Sequence, residues 1–98
     1  MRLEDRLLLA TLLERYGGLL SEGQREILTD YCLYDLSLSE IVENRSISRA
    51  AVDDAIKKGS KKLEHYEEVL ALSKKKERLL ALLKEKNYQA LEDEIHGI

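Results

Sequence analysis

Apolar residues recur along this chain at spacings of three and four, and polar or glycine-containing breaks cut the recurrence into short segments. Leu8, Leu9, Leu12, Leu13 and Tyr16 follow that spacing, which predicts a helix over residues 3–16 with one buried face. Gly17 and Gly18 are read as its stop, because glycine takes the left-handed conformation of a helix end without strain. Ser21 with Gln24 three residues on has the form of a capping box. The helix it opens is expected to reach about Tyr34, burying Ile27, Leu28, Tyr31 and Cys32. So short a link predicts that the two helices fold back on each other.

Residues 37–63, SLSEIVENRSISRAAVDDAIKKGSKKL, carry the densest local signals. Ser37 and Glu40 form a second capping box, and Leu36 with Ile41 fits a hydrophobic staple across it. A short helix over 38–44 and a turn through Arg45, Ser46 and Ile47 lead to Ser48, a third N-cap, with Ile47 and Val52 as its staple. On the helix that follows, Val52, Ile56, Gly59 and Leu63 share one face, with Ala50, Asp54, Lys57 and Lys61 opposite. Gly59 either ends this helix or weakens it by about 1 kcal/mol relative to Ala, and helix is expected to about Tyr66. Residues 67–72 and 73–86 read as helical, in one rod or with a break near Ser73, with Val69, Leu72, Leu79, Leu80 and Leu83 as an apolar stripe. Asn87 reads as a stop, and 88–95 as a last turn or two. The fold class is all-α. Residues 1–66 are expected to form a helix-turn-helix domain without a wing, and 67–98 a helical extension of it.

Composition agrees. There is no Pro, Trp or Phe, and 98 residues suffice for one modest core. Cys32 is the single cysteine, so no internal disulfide can form, and a reducing cytoplasm is the expected location. The apolar run from Leu7 to Leu13 is broken by Thr11 and does not resemble a leader, and no stretch approaches a membrane span.

Net charge is −3, unevenly spread. Residues 1–44 carry 4 Lys/Arg against 9 Asp/Glu, residues 45–62 carry 6 against 2, and residues 63–98 carry 6 against 8. The +4 segment marks a polyanion-facing patch on an acidic body. Its basic residues, Arg45, Arg49, Lys57, Lys58, Lys61 and Lys62, are the candidates for phosphate contact. Asp53 and Asp54 would meet phosphate repulsion in a groove; they are expected to pair with Lys57 and Lys58 at i,i+4. Lys74, Lys75, Lys76 and Arg78 form a second basic run, best read as a solvated face. The Leu79, Leu80, Leu83 stripe is read as core or as the seam of a homodimer. Catalytic signals are weak: there is no Gly-rich phosphate loop, and Glu92 with His96 or His65 with Glu68 lacks the further ligands a metal needs. No enzyme, cofactor or metal is expected.

The span LSEIVENRSISRAAVDDAIKKGSKKL resembles region four of bacterial sigma factors, through Leu38, Glu40, Ile41, Ile47, Ser48, Arg49, Val52, Lys62 and Leu63. With RYGGLLSEGQREILTDYCLYDLSLSEI before it and SRAAVDDAIKKGSKKLEHYEE overlapping and extending it, residues 15–68 are similar to the YlxM proteins, small cytoplasmic proteins of Gram-positive bacteria and mycoplasmas. That resemblance implies a protein linked by gene neighbourhood to the signal recognition particle, which it regulates or assists. The implied partners are the particle RNA, its GTPase and the receptor FtsY; DNA is the alternative partner, with a sequence-specific transcriptional regulator as the alternative function. Two departures stand out. Sigma-type turns carry Gly where this chain has Ser46, and an apolar residue where it has Arg45.

Overall fold

Helix α1 (Leu3–Tyr16) turns Leu9, Leu12, Leu13 and Tyr16 into the core, each under a tenth exposed. Their i, i+3, i+4, i+7 spacing is what a single buried helical face requires. Leu8, expected on that face, is instead more than half exposed. It sits 100° round from Leu9 and lines a shallow groove with Leu9, Ser60 and Glu64. The computed structural model describes residues 3–98, with side chains from Asp5 onward, so the first two residues of the expected 1–66 unit lie outside it.

The chain leaves α1 through a 3-10 turn, Gly17–Leu19, and no glycine among the described residues has a positive φ. The expected left-handed glycine stop is therefore not used. Gly17 is buried, and a Cβ on it would stand 3.2 Å from Leu13 Cδ1, so its small size is what the site exploits.

Helix α2 (Glu22–Cys32) begins with the expected capping box: the Gln24 amide donates to Ser21 Oγ at 3.2 Å, and the Ser21 amide to Gln24 Oε1. It stops at Cys32, two residues before the expected end. Asp35 takes φ 54°, which lets the Leu36 amide reach back to the Asp30 carbonyl at 3.0 Å. Arg6 of α1 pairs with Asp35 and lies 4.0 Å over the Tyr31 ring, so a cation–π contact ties α1 to this turn.

Helix α3 (Leu38–Arg45) and helix α4 (Arg49–Leu70) complete the body. α4 packs across both α1 and α2. Gly59, read from sequence as a stop or a weak point, lies mid-helix and buried where α4 crosses α2. A Cβ there would stand 2.6 Å from Leu28 Cδ1 and 3.6 Å from Gln24 Cβ. Glycine at this position lets two backbones approach. The core gathers around this crossing: Leu28, Ile41, Val52 and Leu63 are completely buried.

α4 runs four residues beyond Tyr66, some 33 Å in all at the usual rise. It breaks at Ala71, with φ 49° and ψ 36°, two residues before the expected break near Ser73. The Tyr16 hydroxyl holds this kink. It donates to the Glu67 carboxylate of the last turn of α4 and accepts the Leu72 amide at 3.0 Å, satisfying a free donor at the start of the next helix. Tyr66 stacks at a tilt against Tyr16, ring centres 6.2 Å apart. Burial and the Glu67 bond raise the Tyr16 phenol above its ordinary pKa, so it stays a protonated donor. Tyr16→Phe keeps the ring and removes both bonds. Hydrogen exchange of the Leu72 amide should then quicken about 5- to 10-fold while global melting moves little; unchanged exchange would show the hydroxyl does not hold the hinge.

Beyond the kink, helix α5 (Leu72–Lys84) and helix α6 (Tyr88–His96) form an antiparallel hairpin. Lys86 takes φ 59°, and the Asn87 amide returns to the Leu82 carbonyl at 3.0 Å, closing α5. Asn87 is not only a stop: its side chain accepts the Ala90 amide at 3.2 Å and caps α6. The hairpin projects from the body. Extents of 53 × 21 × 17 Å and a radius of gyration of 16.7 Å exceed the roughly 13 Å of a compact chain this long. Among the described residues there is no strand, and no helix is long and apolar enough to cross a membrane.

Candidate nucleic-acid interface

The turn between α3 and α4 fixes the angle at which α4 is presented. Ser37 caps α3: the Glu40 amide donates to Ser37 Oγ at 3.1 Å, and Glu40 Oε1 accepts the Ser37 amide at 3.0 Å. Those bonds hold the Glu40 carboxyl below its ordinary pKa. Ser48 caps α4 by accepting the Ala51 amide at 3.0 Å. Leu36 and Ile47, the outer residues of the two expected staples, pack against the core that holds Ile41 and Val52. Between the caps, Ser46 takes φ 53° and ψ 42°, the left-handed conformation for which related turns use glycine. A non-glycine residue pays about 1 kcal/mol or more for that backbone. Ser46→Gly should therefore raise stability by about 0.5–1 kcal/mol in denaturant melts, and a loss of stability would contradict the turn geometry.

The six candidate basic residues fall into three groups. Arg45 turns inward. Its Nε lies 2.6 Å from Asp30 Oδ2, Nη2 3.1 Å from Asp30 Oδ1, and Nη1 2.9 Å from Glu26 Oε2. This fork locks the end of α3 to α2 and neutralises Asp30, the one buried charged residue of the described body. Pairing with Asp30 raises the guanidinium's pKa further. An apolar residue, usual at this place in sigma-type turns, would leave Asp30 unpaired.

Arg49 and Lys58 form the second group. Each is spent on a neighbouring carboxylate, Arg49 Nε 3.3 Å from Asp53 Oδ1 and Lys58 Nζ 3.3 Å from Asp54 Oδ2. The expected Asp54–Lys58 pair is present. The expected Asp53–Lys57 pair is not, because Arg49, one turn before Asp53, takes it instead. All four side chains remain more than half exposed, so these pairs contribute little to stability. Their effect is electrostatic: the first two turns of α4, which would enter a groove, present neutralised ion pairs.

Lys57, Lys61 and Lys62 make up the third group; Lys57 stands beside Lys58, and Lys61 and Lys62 lie one turn beyond it. Lys62 donates to Gln24 Oε1 at 3.2 Å. Lys57 and Lys61 form no ion pair among the described residues and flank an open groove floored by Tyr31, Leu38 and Ile56. Free cations therefore stand towards the middle of α4, not at its start. Lys74, Lys75 and Lys76 lie far off on α5 and are exposed.

Sequence reasoning missed the Asp30 clamp and the Tyr16 hinge. Arg45 at a position that related turns leave apolar was the available signal for the first. Nothing local announces the second, since Tyr16 and Leu72 are 56 residues apart. Cys32 is half-buried, and burial raises its thiol pKa. Among the described residues no group of three His, Cys, Asp or Glu side chains could hold a metal ion.

Two capped helices, a left-handed turn and a second helix with a lysine cluster at its middle define a small all-α helix-turn-helix protein. The chain belongs to the UPF0122 family, whose description reads "Putative helix-turn-helix protein, YlxM / p13 like"; the match spans residues 3–97. It is 47% identical over 77 residues to a UPF0122 protein of Clostridium kluyveri, covering 79% of this chain and 69% of the relative. Over 79 residues it is 48% identical to one from Caldanaerobacter subterraneus subsp. tengcongensis, covering 80% and 68%. A Fusobacterium nucleatum relative is 44% identical over 79 residues, covering 81% and 77%. No solved structure matches.

Proposed function

We propose that this chain is a non-enzymatic accessory of the signal recognition particle, acting in the cytoplasm and holding the particle RNA by its phosphate backbone through α4. The particle comes from the resemblance to YlxM proteins. The choice of RNA backbone over base reading is carried by one observation: among the described residues Lys57 and Lys61 make no ion pair, whereas the start of α4 displays Asp53 and Asp54 already paired. Phosphate contacts position a protein without reading sequence, and need only cations at a suitable spacing. Carboxylates at the start of a recognition helix, by contrast, accept only from cytosine's amino group.

Filter binding with the particle RNA, and pull-down with its GTPase, test the reading on the full chain. Retention of the RNA at low salt supports it; retention of neither component removes it. The helix-turn-helix frame supports a sequence-specific DNA regulator as second reading, since Ser46 takes the left-handed conformation for which sigma-type turns use glycine and Ser48 caps the helix that follows. In that case Arg49→Ala should abolish discrimination between a specific site and random duplex. Asp53→Asn with Asp54→Asn should raise non-specific DNA binding and steepen its salt dependence.

A further inference from the structure

The α5–α6 hairpin carries an apolar face that the rest of the chain does not cover. Leu82 is 2% exposed yet lies outside the main core, so it marks the seam between the two helices. Arg78 and Glu94, 3.5 Å apart, mark the same seam. Turning from Leu82 at 100° per residue, α5 shows Leu72, Leu83 and Leu80 between about 80° and 160°. Turning in the same sense from the direction midway between Ala90 and Leu91, the two partly buried residues of α6, the helix shows Ile95 and Tyr88 at about 90° and 110°. Because the helices are antiparallel, equal turns from a shared seam lead to the same side of the hairpin. The two stripes therefore merge into one face, on which Leu80, Leu83, Tyr88 and Ile95 are each at least half exposed.

We infer that this face is covered by the same face of a second copy of the chain, giving a two-fold four-helix bundle in which α5 of one copy lies over α6 of the other. Three observations select this occupant. Helices of 13 and 9 residues with a single fully buried side chain between them are too short to be stable alone, so the hairpin requires further burial. The chain cannot supply it, because the Tyr16 hydroxyl pins the start of α5 and holds the hairpin away from the body.

Charge then chooses the partner. α5 carries five basic residues against one acidic, and α6 three acidic residues with His96. A two-fold axis parallel to the helices sets basic α5 over acidic α6 at both ends, whereas an axis across them would set like over like. In the favoured arrangement all neighbours are antiparallel. Lys84 and Glu92 lie just past the apolar stripes, about 200° and 150° round from their seams, and so approach along the outer edge. The face measures about 20 by 20 Å, so the dimer buries about 800 Å² in total, below the roughly 1,200–2,000 Å² of stable interfaces and in the range of weak, transient ones. The dimer is therefore weak and concentration-dependent.

Sedimentation equilibrium of the full chain from about 1 µM to about 1 mM at low salt tests this. The wild type should pass from monomer to dimer across that range. Leu83→Glu, at a half-exposed position, should remain monomeric throughout with an unchanged helical spectrum. Glu92→Lys should weaken the dimer about 5-fold or more, and adding Lys84→Glu should restore it. A wild type that stays monomeric to the highest concentration, or a Leu83→Glu chain that dimerises equally well, overturns the inference. A charge swap that fails to restore the dimer overturns the α5-over-α6 arrangement.

Discussion

Gly59→Val is expected to destabilise the protein by about 3 kcal/mol or more, a large share of the 5–15 kcal/mol that small domains possess. A Cβ at this position would stand 2.6 Å from a Leu28 methyl, and Leu28 is completely buried, so the methyl can move only into the surrounding core. Two further methyl groups would drive α2 and α4 apart at the point where the core is centred. For a domain of this length the shift in melting temperature should be about 12–20 °C. Gly59→Ala is the instructive control. It recovers about 1 kcal/mol of helix propensity, which offsets much of a smaller clash. Leu28→Ala introduced with Gly59→Val should recover part of the loss, because the two residues share one volume. A Gly59→Val chain that melts with the wild type would mean that α2 and α4 do not cross here.

Arg45→Ala should cost about 2–3 kcal/mol, at or just below the lower end of the range for breaking a buried ion pair, because Arg45 keeps a third of its side chain exposed. The loss falls on Asp30, whose side chain is only 10% exposed and which would keep a buried charge without its partner. Arg45→Lys should restore little of it, since an ammonium cannot satisfy both Asp30 oxygens and Glu26 as the planar fork does. Glu26→Gln, at an exposed partner, should cost less than 1 kcal/mol. Urea melts of the four chains check this order. Equal stability of Arg45→Ala and wild type would return Arg45 to the set of free phosphate contacts. RNA binding adds a second check: it should fall in Arg45→Ala only as the folded fraction falls.

The sequence was most legible where the signal was local. Three N-caps and two staples placed the starts of α2, α3 and α4, because each cap is a hydrogen bond spanning three residues. Ends proved harder. α2 stops early at a turn where Asp35 enters the left-handed region and pairs with Arg6 of α1, and α4 stops late because Tyr16 secures Glu67 and Leu72. Both causes are long-range, and no window of sequence contains them. The same distinction runs through the interface. Charge counting located the basic segment, whereas the division into clamped, paired and free cations depended on which carboxylates the fold brought near. Asp30 belongs to α2 and reaches Arg45 only once α3 has folded against it. Gly59 shows the contrast in a single residue: from propensity it is a weak point of the helix, and from packing it is the position that lets the core close.

On the proposed reading, Lys57 and Lys61 contact the backbone of an RNA. The most direct test is the salt dependence of particle-RNA binding, measured for the wild type and for Lys57→Ala/Lys61→Ala. Each phosphate neutralised contributes roughly 0.7–0.9 to the slope of log K against log salt, so the double substitution should lower the slope by about 1.5. Melting temperature should not change, since both side chains are exposed and unpaired among the described residues. An unchanged slope, or no RNA bound by the wild type at about 50 mM salt, would contradict it.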